Sequence, residues 1–241
     1  MPRANRYFLP GHIWHITHRC HKQQFLLKFA RDRRAWVYWL YQSRRRYGLC
    51  VLNYVVTSNH IHLLVKDTGR GEIARSMQLI AGRVAQQFNR RKSRKGAYWE
   101  DRYHATAVQA DNHLRRCIVY IDLNMVRAGV VAHPSGWTHA GYNEIQALPQ
   151  RYRCIDVPAL TTLLGFSNTD SLRSGMREWI NQALANGELT RQPAWTESIA
   201  VGQSTYLSSV ADALKASHPG REIRNKDDCL YLREHAVTYS V

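Results

Sequence analysis

The chain has 241 residues, 44% of them apolar, and a formal charge of +16, which is length enough for a full core in one large domain or two small ones. No apolar stretch approaches the roughly 18 residues needed to cross a bilayer, and residues 1–6 are too few and too polar for a signal peptide. Five scattered cysteines (Cys20, Cys50, Cys117, Cys154, Cys229) form no C-x-x-C pair, which argues against a disulfide frame or a cysteine zinc site and for reduced thiols in a cytoplasmic protein without a membrane partner.

In chain order, "GHIWHITHRC" (11–20) alternates and is rich in Ile, Thr and Trp, so a strand is expected. Residues 29–47 place Phe29, Trp36, Val37, Leu40 and Tyr41 at helical spacing, and Gly48 stops that helix. "LCVLNYVVTS" (49–58) and "HIHLLVKD" (60–67) read as two strands joined by a tight Ser-Asn turn, and 71–91 as a second long helix. "AYWEDRYHATAVQA" (97–110) reads as one or two short strands. A third helix opens with Asp111 as N-cap and closes at Gly129. The order β-α-β-β-α-β-α predicts an α+β fold over residues 1–149, with helices packed on an antiparallel sheet. Residues 150–241 change composition, with helical stretches near 156–164, 170–186 and 204–217 and a polar tail from about His218. They read as a separate, small, mainly helical extension.

The charge is one-sided. Residues 1–150 hold 24 Lys+Arg against 8 Asp+Glu, whereas residues 151–241 hold 10 of each. The excess is mostly arginine, whose forked donors match phosphate oxygens, so a polyanion partner is expected; a solvated basic face is the alternative. The expected phosphate contacts are Arg90, Arg91, Lys92, Arg94, Lys95 and Arg102, with Arg115, Arg116 and Arg127 on the third helix.

Within "TSNHIHLLVKD" (57–67), His60 and His62 share one strand face roughly 7 Å apart, while Ile61 turns to the core. Two imidazoles at that spacing can converge on a metal ion or be an ordinary pair of surface or core histidines. "YIDLN" places Tyr120 and Asn124 a turn apart on one helix face. A tyrosine becomes a nucleophile only where a cation stabilises its phenolate or the reacting phosphate. Two histidines and an amide oxygen holding a metal provide such a place; taken alone, Tyr120 is an ordinary amphipathic-helix tyrosine.

Together, "LPGHIWHITHRC", "VVTSNHIHLLV", "FNRRKSRKGAYWEDRYHATAV" and "YIDLNMVRAGVV" resemble, in order and spacing, the REP-associated tyrosine transposases of the IS200-like group, which are single-tyrosine HUH endonucleases. The resemblance covers about residues 5–145. It implies a ferredoxin-like catalytic domain, His60 and His62 as metal ligands with Asn124 as the third, and Tyr120 as nucleophile. It also implies Mg²⁺ or Mn²⁺ as cofactor, no nucleotide cofactor, and palindromic single-stranded DNA hairpins as substrate, cleaved through a 5′-phosphotyrosine. Met125 departs from the family, which more often has proline there. The protein is expected to act as a monomer or homodimer. A hairpin-binding regulator or nucleoid factor without turnover, and an RNA-processing role, are the alternative readings.

Other features carry less. Among His12, His15, His18 and His21, only members about 20 Å apart share a strand face, so they make no single metal site, although individual ones could line the groove or the catalytic face. His104 is expected in the core or groove. "TGRGEI" (68–73) could seat a phosphate at a helix N-terminus but lacks a P-loop's lysine. Glu100 and Asp101 are expected to cap or pair with nearby arginines. Residues 160–180 admit a helix-turn-helix reading that their neutral charge disfavours, and Asp170 and Ser171 suit the start of the longer helix.

Overall fold

The computed structural model describes residues 9–147, 151–215, 221–226 and 229–234. The first unit runs β1 (Ile13–Arg19), α1 (Ala30–Tyr47), β2 (Cys50–Val56), β3 (His60–Lys66), α2 (Glu72–Arg91) and β4 (His104–Val108), then α3 (Asn112–Asp122) and α4 (Asn124–Arg127). α5 (Gly141–Gln146), α6 (Val157–Leu163), α7 (Thr169–Ala185), α8 (Ala194–Glu197), β5 (Ala200–Val201), α9 (Ser204–Lys215), β6 (Arg221–Lys226) and β7 (Cys229–Glu234) follow. Among the described residues the strands form one seven-stranded sheet in the order β2-β3-β1-β4-β5-β7-β6. The first four are mutually antiparallel, as expected. The parallel pairing of β4 with β5 makes the whole sheet mixed. No helix among the described residues is long and apolar enough to cross a membrane.

Because directly paired strand residues share a face, the registers divide the sheet into two chemistries. Trp14, Ile16, Ile61, Leu63, Val65 and Ala107 project to one side, where Trp36 of α1 meets Tyr54 with ring centroids 6.2 Å apart. His15, Thr17, Arg19, His60, His62, His104 and Thr106 project to the other. That polar face is covered by α3 and α8 rather than by the two long helices. One side of the sheet is thus mainly apolar, with His18 at its end beside Ile61, and the other adds these polar groups to the apolar Ile13, Leu64 and Val108.

Asn53 on β2 ties α3 to that polar side. Its Nδ2 donates to Asp122 Oδ1 at 2.9 Å, while its Oδ1 accepts the Tyr54 backbone N–H. Asp122 Oδ2 is buried without a partner, and burial pushes this carboxyl up to about 7 against the opposing Asn53 hydrogen bond. Gly141, opening α5, is required here because a Cβ would collide with Asn53 Oδ1 and reach the Tyr54 backbone nitrogen at 3.0 Å. A carboxyl raised on folding binds its proton more tightly folded than unfolded, so its effect on stability worsens as pH rises from about 4 through 7. Asp122→Asn is therefore expected to raise Tm by about 5 °C or more at pH 8, with the gain vanishing near pH 4. Melting curves at the two pH values check this; an equal gain at both removes the linkage argument.

Residues 150–241 contain the three expected helical stretches as α6, α7 and α9. They also complete the sheet. The Ala107 N–H donates to Ile199 O at 2.8 Å and Ile199 N–H to Leu232 O at 2.8 Å, so two-residue β5 links β4 to the β6–β7 hairpin. The residues expected as a polar tail supply that hairpin. β6, "REIRNK", carries too little apolar alternation to read as a strand, and His218 itself lies outside the described residues.

Four smaller expectations resolve in the structure. Asp170 and Ser171 lie in the first turn of α7 as expected, with Asn168 as the N-cap in a reciprocal capping box with Ser171. Arg173 and Arg177 of α7 bond to Ile145 O and Gln146 Oε1, so that helix braces α5 instead of offering a recognition face. At the start of α2, Glu72 accepts the Thr68 and Arg70 N–H groups at 2.6 and 3.1 Å, so the seat expected for a phosphate is filled by the protein's own carboxylate. Asp101 accepts the Arg102 backbone N–H at 2.7 Å rather than an arginine side chain.

Candidate active site

Tyr120 and Asn124 were expected on one continuous helix; a turn at Leu123 (φ −78°, ψ 2°) divides it into α3 and α4. Hydrogen bonds from Leu123 N–H to Val119 O (3.0 Å) and from Arg127 N–H to Leu123 O (2.9 Å) span the break, so the one-turn spacing survives. α3 starts at the expected N-cap, Asp111, which accepts the His113 N–H at 2.7 Å. The chain leaves α4 at Gly129, whose φ of +67° suits glycine. This path lays α3 and α4 across the polar face of β1 and β3.

His60, His62, Tyr120 and Asn124 all line one cleft of about 660 Å³, together with Arg19, Arg102, His104, Arg127, Arg191 and Glu197. The two strand histidines have ring centroids 5.0 Å apart. His60 Nδ1 lies 2.7 Å from Asn59 Oδ1, a donor position that leaves its Nε2 with the lone pair. His62 Nε2 lies 3.0 Å from the Asn124 amide nitrogen, and His62 Nδ1 lies 2.9 Å from His15 Nε2. Burial lowers the His60 imidazole to about 4, with Arg19 and Arg127 adding repulsion. The same cause, followed by the neighbouring His60 and His15 rings, holds His62 well below the ordinary histidine range. Both imidazoles are thus neutral at pH 7, the form that donates a lone pair.

Tyr120 is only 7% exposed. Its ring meets His62 and His15 edge-on at 5.9 and 6.2 Å and Trp195 at 6.3 Å. The Arg127 guanidinium lies 4.0 Å from the ring centroid and donates to the Tyr120 carbonyl at 2.6 Å. Burial raises the phenol above its ordinary value, while Arg127 and Arg191 pull in the opposite direction. The arrangement holds a phenol against a fixed cation beside two neutral imidazoles and an amide.

The cations singled out in the sequence go to several places. Arg102 and Arg127 line the cleft. Arg115 and Arg116 line a smaller cavity of about 160 Å³ that shares Tyr120 and Arg127 with it, where Arg115 also stacks on Trp179 at 5.6 Å. Arg90, Lys92 and Lys95 are exposed at the end of α2 and the loop after it. Arg91 pairs with the buried Asp32 at 2.6 Å, and Arg94 clasps its own loop through Asn89 Oδ1 and Ala97 O. Of the early histidines, His15 lies on the sheet face that carries His60 and His62, while His18 lines the cleft and stacks on Trp99 with centroids 4.1 Å apart. His104 is half-buried and bonds to Ser198 O at 3.0 Å.

Sequence reasoning did not find Arg191, Glu197 or Trp195, which come from the C-terminal segment. Glu197 pairs with Arg191 at 2.8 Å beside the cleft. No local pattern around "RQPAWTES" marks these residues; only the return of β5 to the sheet brings them there.

Residues 10–124 match the model of the IS200-like transposase family. The matched segment includes His60, His62, Tyr120 and Asn124. A comparison with curated proteins finds no match. Among solved structures, the chain is similar to a REP-associated tyrosine transposase bound to a REP hairpin, with 19% identity, a TM-score of 0.48, and 60% of this chain and 84% of the other covered. It is also similar to a candidate transposase from Deinococcus radiodurans R1, with 15% identity, a TM-score of 0.35, and 53% and 92% covered. Residues 10–124 are thus an IS200-like transposase domain, and the protein is a transposase, an enzyme of DNA transposition.

Proposed function

We propose that the protein is a metal-dependent endonuclease and strand transferase for single-stranded, REP-like DNA hairpins, with Tyr120 as its nucleophile. The observation that carries this reading is the meeting of Tyr120, Arg127, His60, His62 and Asn124 in one cleft. The donor chemistry fits a divalent ion. His60 and His62 each engage Nδ1 with a neighbour and keep Nε2 for a ligand, and the Asn124 carboxamide sits beside His62 Nε2. Among the described residues no group of three or more His, Cys, Asp or Glu is placed to hold an ion, so two imidazoles and one amide form the set. Mg²⁺ and Mn²⁺ are the candidates, with histidine ligands favouring manganese. A bound ion would polarise the phosphodiester and stabilise charge on its oxygens.

In this mechanism the Tyr120 oxygen attacks phosphorus and loses its phenolic proton to solvent. The bond from phosphorus to the 3′-oxygen breaks, and that oxygen leaves as a hydroxyl after taking a proton. The DNA 5′ end remains as a phosphotyrosine, and attack by a 3′-hydroxyl reverses the step and joins strands. Arg127, stacked on the ring, favours the phenolate and holds the nucleophile in place. Phe25 and Phe29, 65% and 51% accessible, are exposed just before α1, with Lys92 of the basic loop 5.9 Å from the Phe29 ring. They suit stacking of unpaired bases.

The test mixes the protein with Mn²⁺ and labelled single-stranded hairpins from its own genome and seeks a protein-linked fragment on a denaturing gel. An adduct lost in EDTA is expected; tight binding with no adduct on any cognate hairpin assigns a non-catalytic binder. Competing DNA against RNA of matching sequence tests the RNA alternative. Affinity should also fall about 10³-fold between 50 and 200 mM salt if about six phosphates are contacted. Equal affinity at both concentrations removes the basic-groove argument.

A further inference from the structure

One buried side chain on the cleft face is outside the reacting set. His15, on β1, is 0% exposed, and both of its ring nitrogens are engaged. Nδ1 lies 2.8 Å from the Trp195 carbonyl oxygen on α8, and Nε2 lies 2.9 Å from His62 Nδ1. The His15 and His62 rings are stacked at an interplanar angle of 14°. His62 Nε2 completes the line at 3.0 Å from the Asn124 amide nitrogen. Residues from β1, β3, α4 and α8 therefore form one continuous hydrogen-bonded row.

The row has a direction. A carbonyl oxygen only accepts, so His15 Nδ1 carries a hydrogen. Among the described residues no carboxylate bonds to His15, and a cation at so buried a place would stand uncompensated. The ring is accordingly neutral, with its lone pair on Nε2. His62 Nδ1 must then donate to it, which leaves the His62 lone pair on Nε2, facing Asn124. Reversing any member would set two hydrogens or two lone pairs against each other.

α8 is itself fixed. Trp195 is fully buried and its indole N–H donates to Gln192 Oε1 at 2.6 Å. The Ser198 carbonyl just beyond α8 accepts from Thr106 Oγ1 on β4 at 2.7 Å. The Trp195 carbonyl thus reaches His15 from a helix anchored to the sheet, and it comes from beyond the segment that matches the family.

We infer that His15 is a positioning residue of the active site and that the Trp195 carbonyl selects its tautomer, so that His62 is held as the Nδ1–H form with its Nε2 lone pair presented to the divalent metal. The final clause rests on the proposed metal role of His62; the hydrogen-bond row does not. The inference gives the C-terminal segment a part in the centre without touching substrate. A hydrogen bond on the far nitrogen of a liganding histidine fixes ring orientation and raises ligand basicity.

The experiment records two-bond ¹H–¹⁵N histidine correlations on the whole, metal-free protein, then titrates Mn²⁺ by calorimetry. In the wild type, His15 and His62 are both expected as Nδ1–H tautomers. His15→Gln, whose side-chain oxygen can accept from His62, should keep His62 in that form. His15→Leu should give a mixture at His62 and weaken Mn²⁺ binding about 10–100-fold, with hairpin binding in EDTA unchanged. An Nε2–H tautomer at His62 in the wild type overturns the inference without any variant, so a His15→Leu protein that fails to fold leaves it testable. A pure Nδ1–H signal at His62 in folded His15→Leu overturns it as well. If the row breaks as expected but wild-type protein takes up no Mn²⁺, the metal clause fails and the tautomer selection stands.

Discussion

Tyr120→Phe is expected to abolish the protein–DNA adduct, reducing cleavage at least about 10³-fold, equivalent to about 4 kcal/mol of transition-state stabilisation, while hairpin affinity stays within a few fold. The variant removes one oxygen and keeps the ring between Arg127, His62 and Trp195, so packing of α3 is preserved. Denaturing gels for the adduct and filter binding for affinity separate the two effects. Cleavage by Tyr120→Phe at the wild-type rate would assign the nucleophile elsewhere.

The second large effect concerns the histidine pair. His60→Ala and His62→Ala are each expected to lower Mn²⁺ affinity by about 100-fold or more and to remove metal-dependent cutting. Binding of hairpin DNA in EDTA should persist, because Arg19, Arg102, Arg127 and Arg191 remain around the cleft. His60→Ala is the cleaner variant, since His60 is partly exposed whereas His62 is 3% exposed and bonded to His15. Unchanged Mn²⁺ titration in both variants would place the ion away from these residues.

The core sheet was legible because its signals are local. Alternation in β1–β3, helical spacing in α1 and α2, and Gly48 at a left-handed helix end (φ +70°) each lie within a few residues. The pair of histidines on one face was legible for the same reason, since a strand's period of two needs no tertiary information. His15 was visible only as one of four histidines in and around β1, because its meaning depends on a partner 180 residues away. β5 escaped notice because two residues carry no periodicity. Charge counting found the basic half of the chain but could not show that Arg91 is held by buried Asp32 or that Arg94 closes its own loop. Composition reports how many cations there are; only geometry shows which face a ligand.

The order in which the site's parts leave the ribosome has a consequence for its activity. Both strand histidines, Tyr120 and Asn124 are synthesised before Trp195, and at ~5–20 residues per second the stretch between Asn124 and Trp195 takes ~4–14 s. During that interval the nascent chain carries the basic surface and every reacting side chain but lacks the carbonyl that sets His15. On the proposed row, a chain that has not yet reached α8 lacks the group that orients His62.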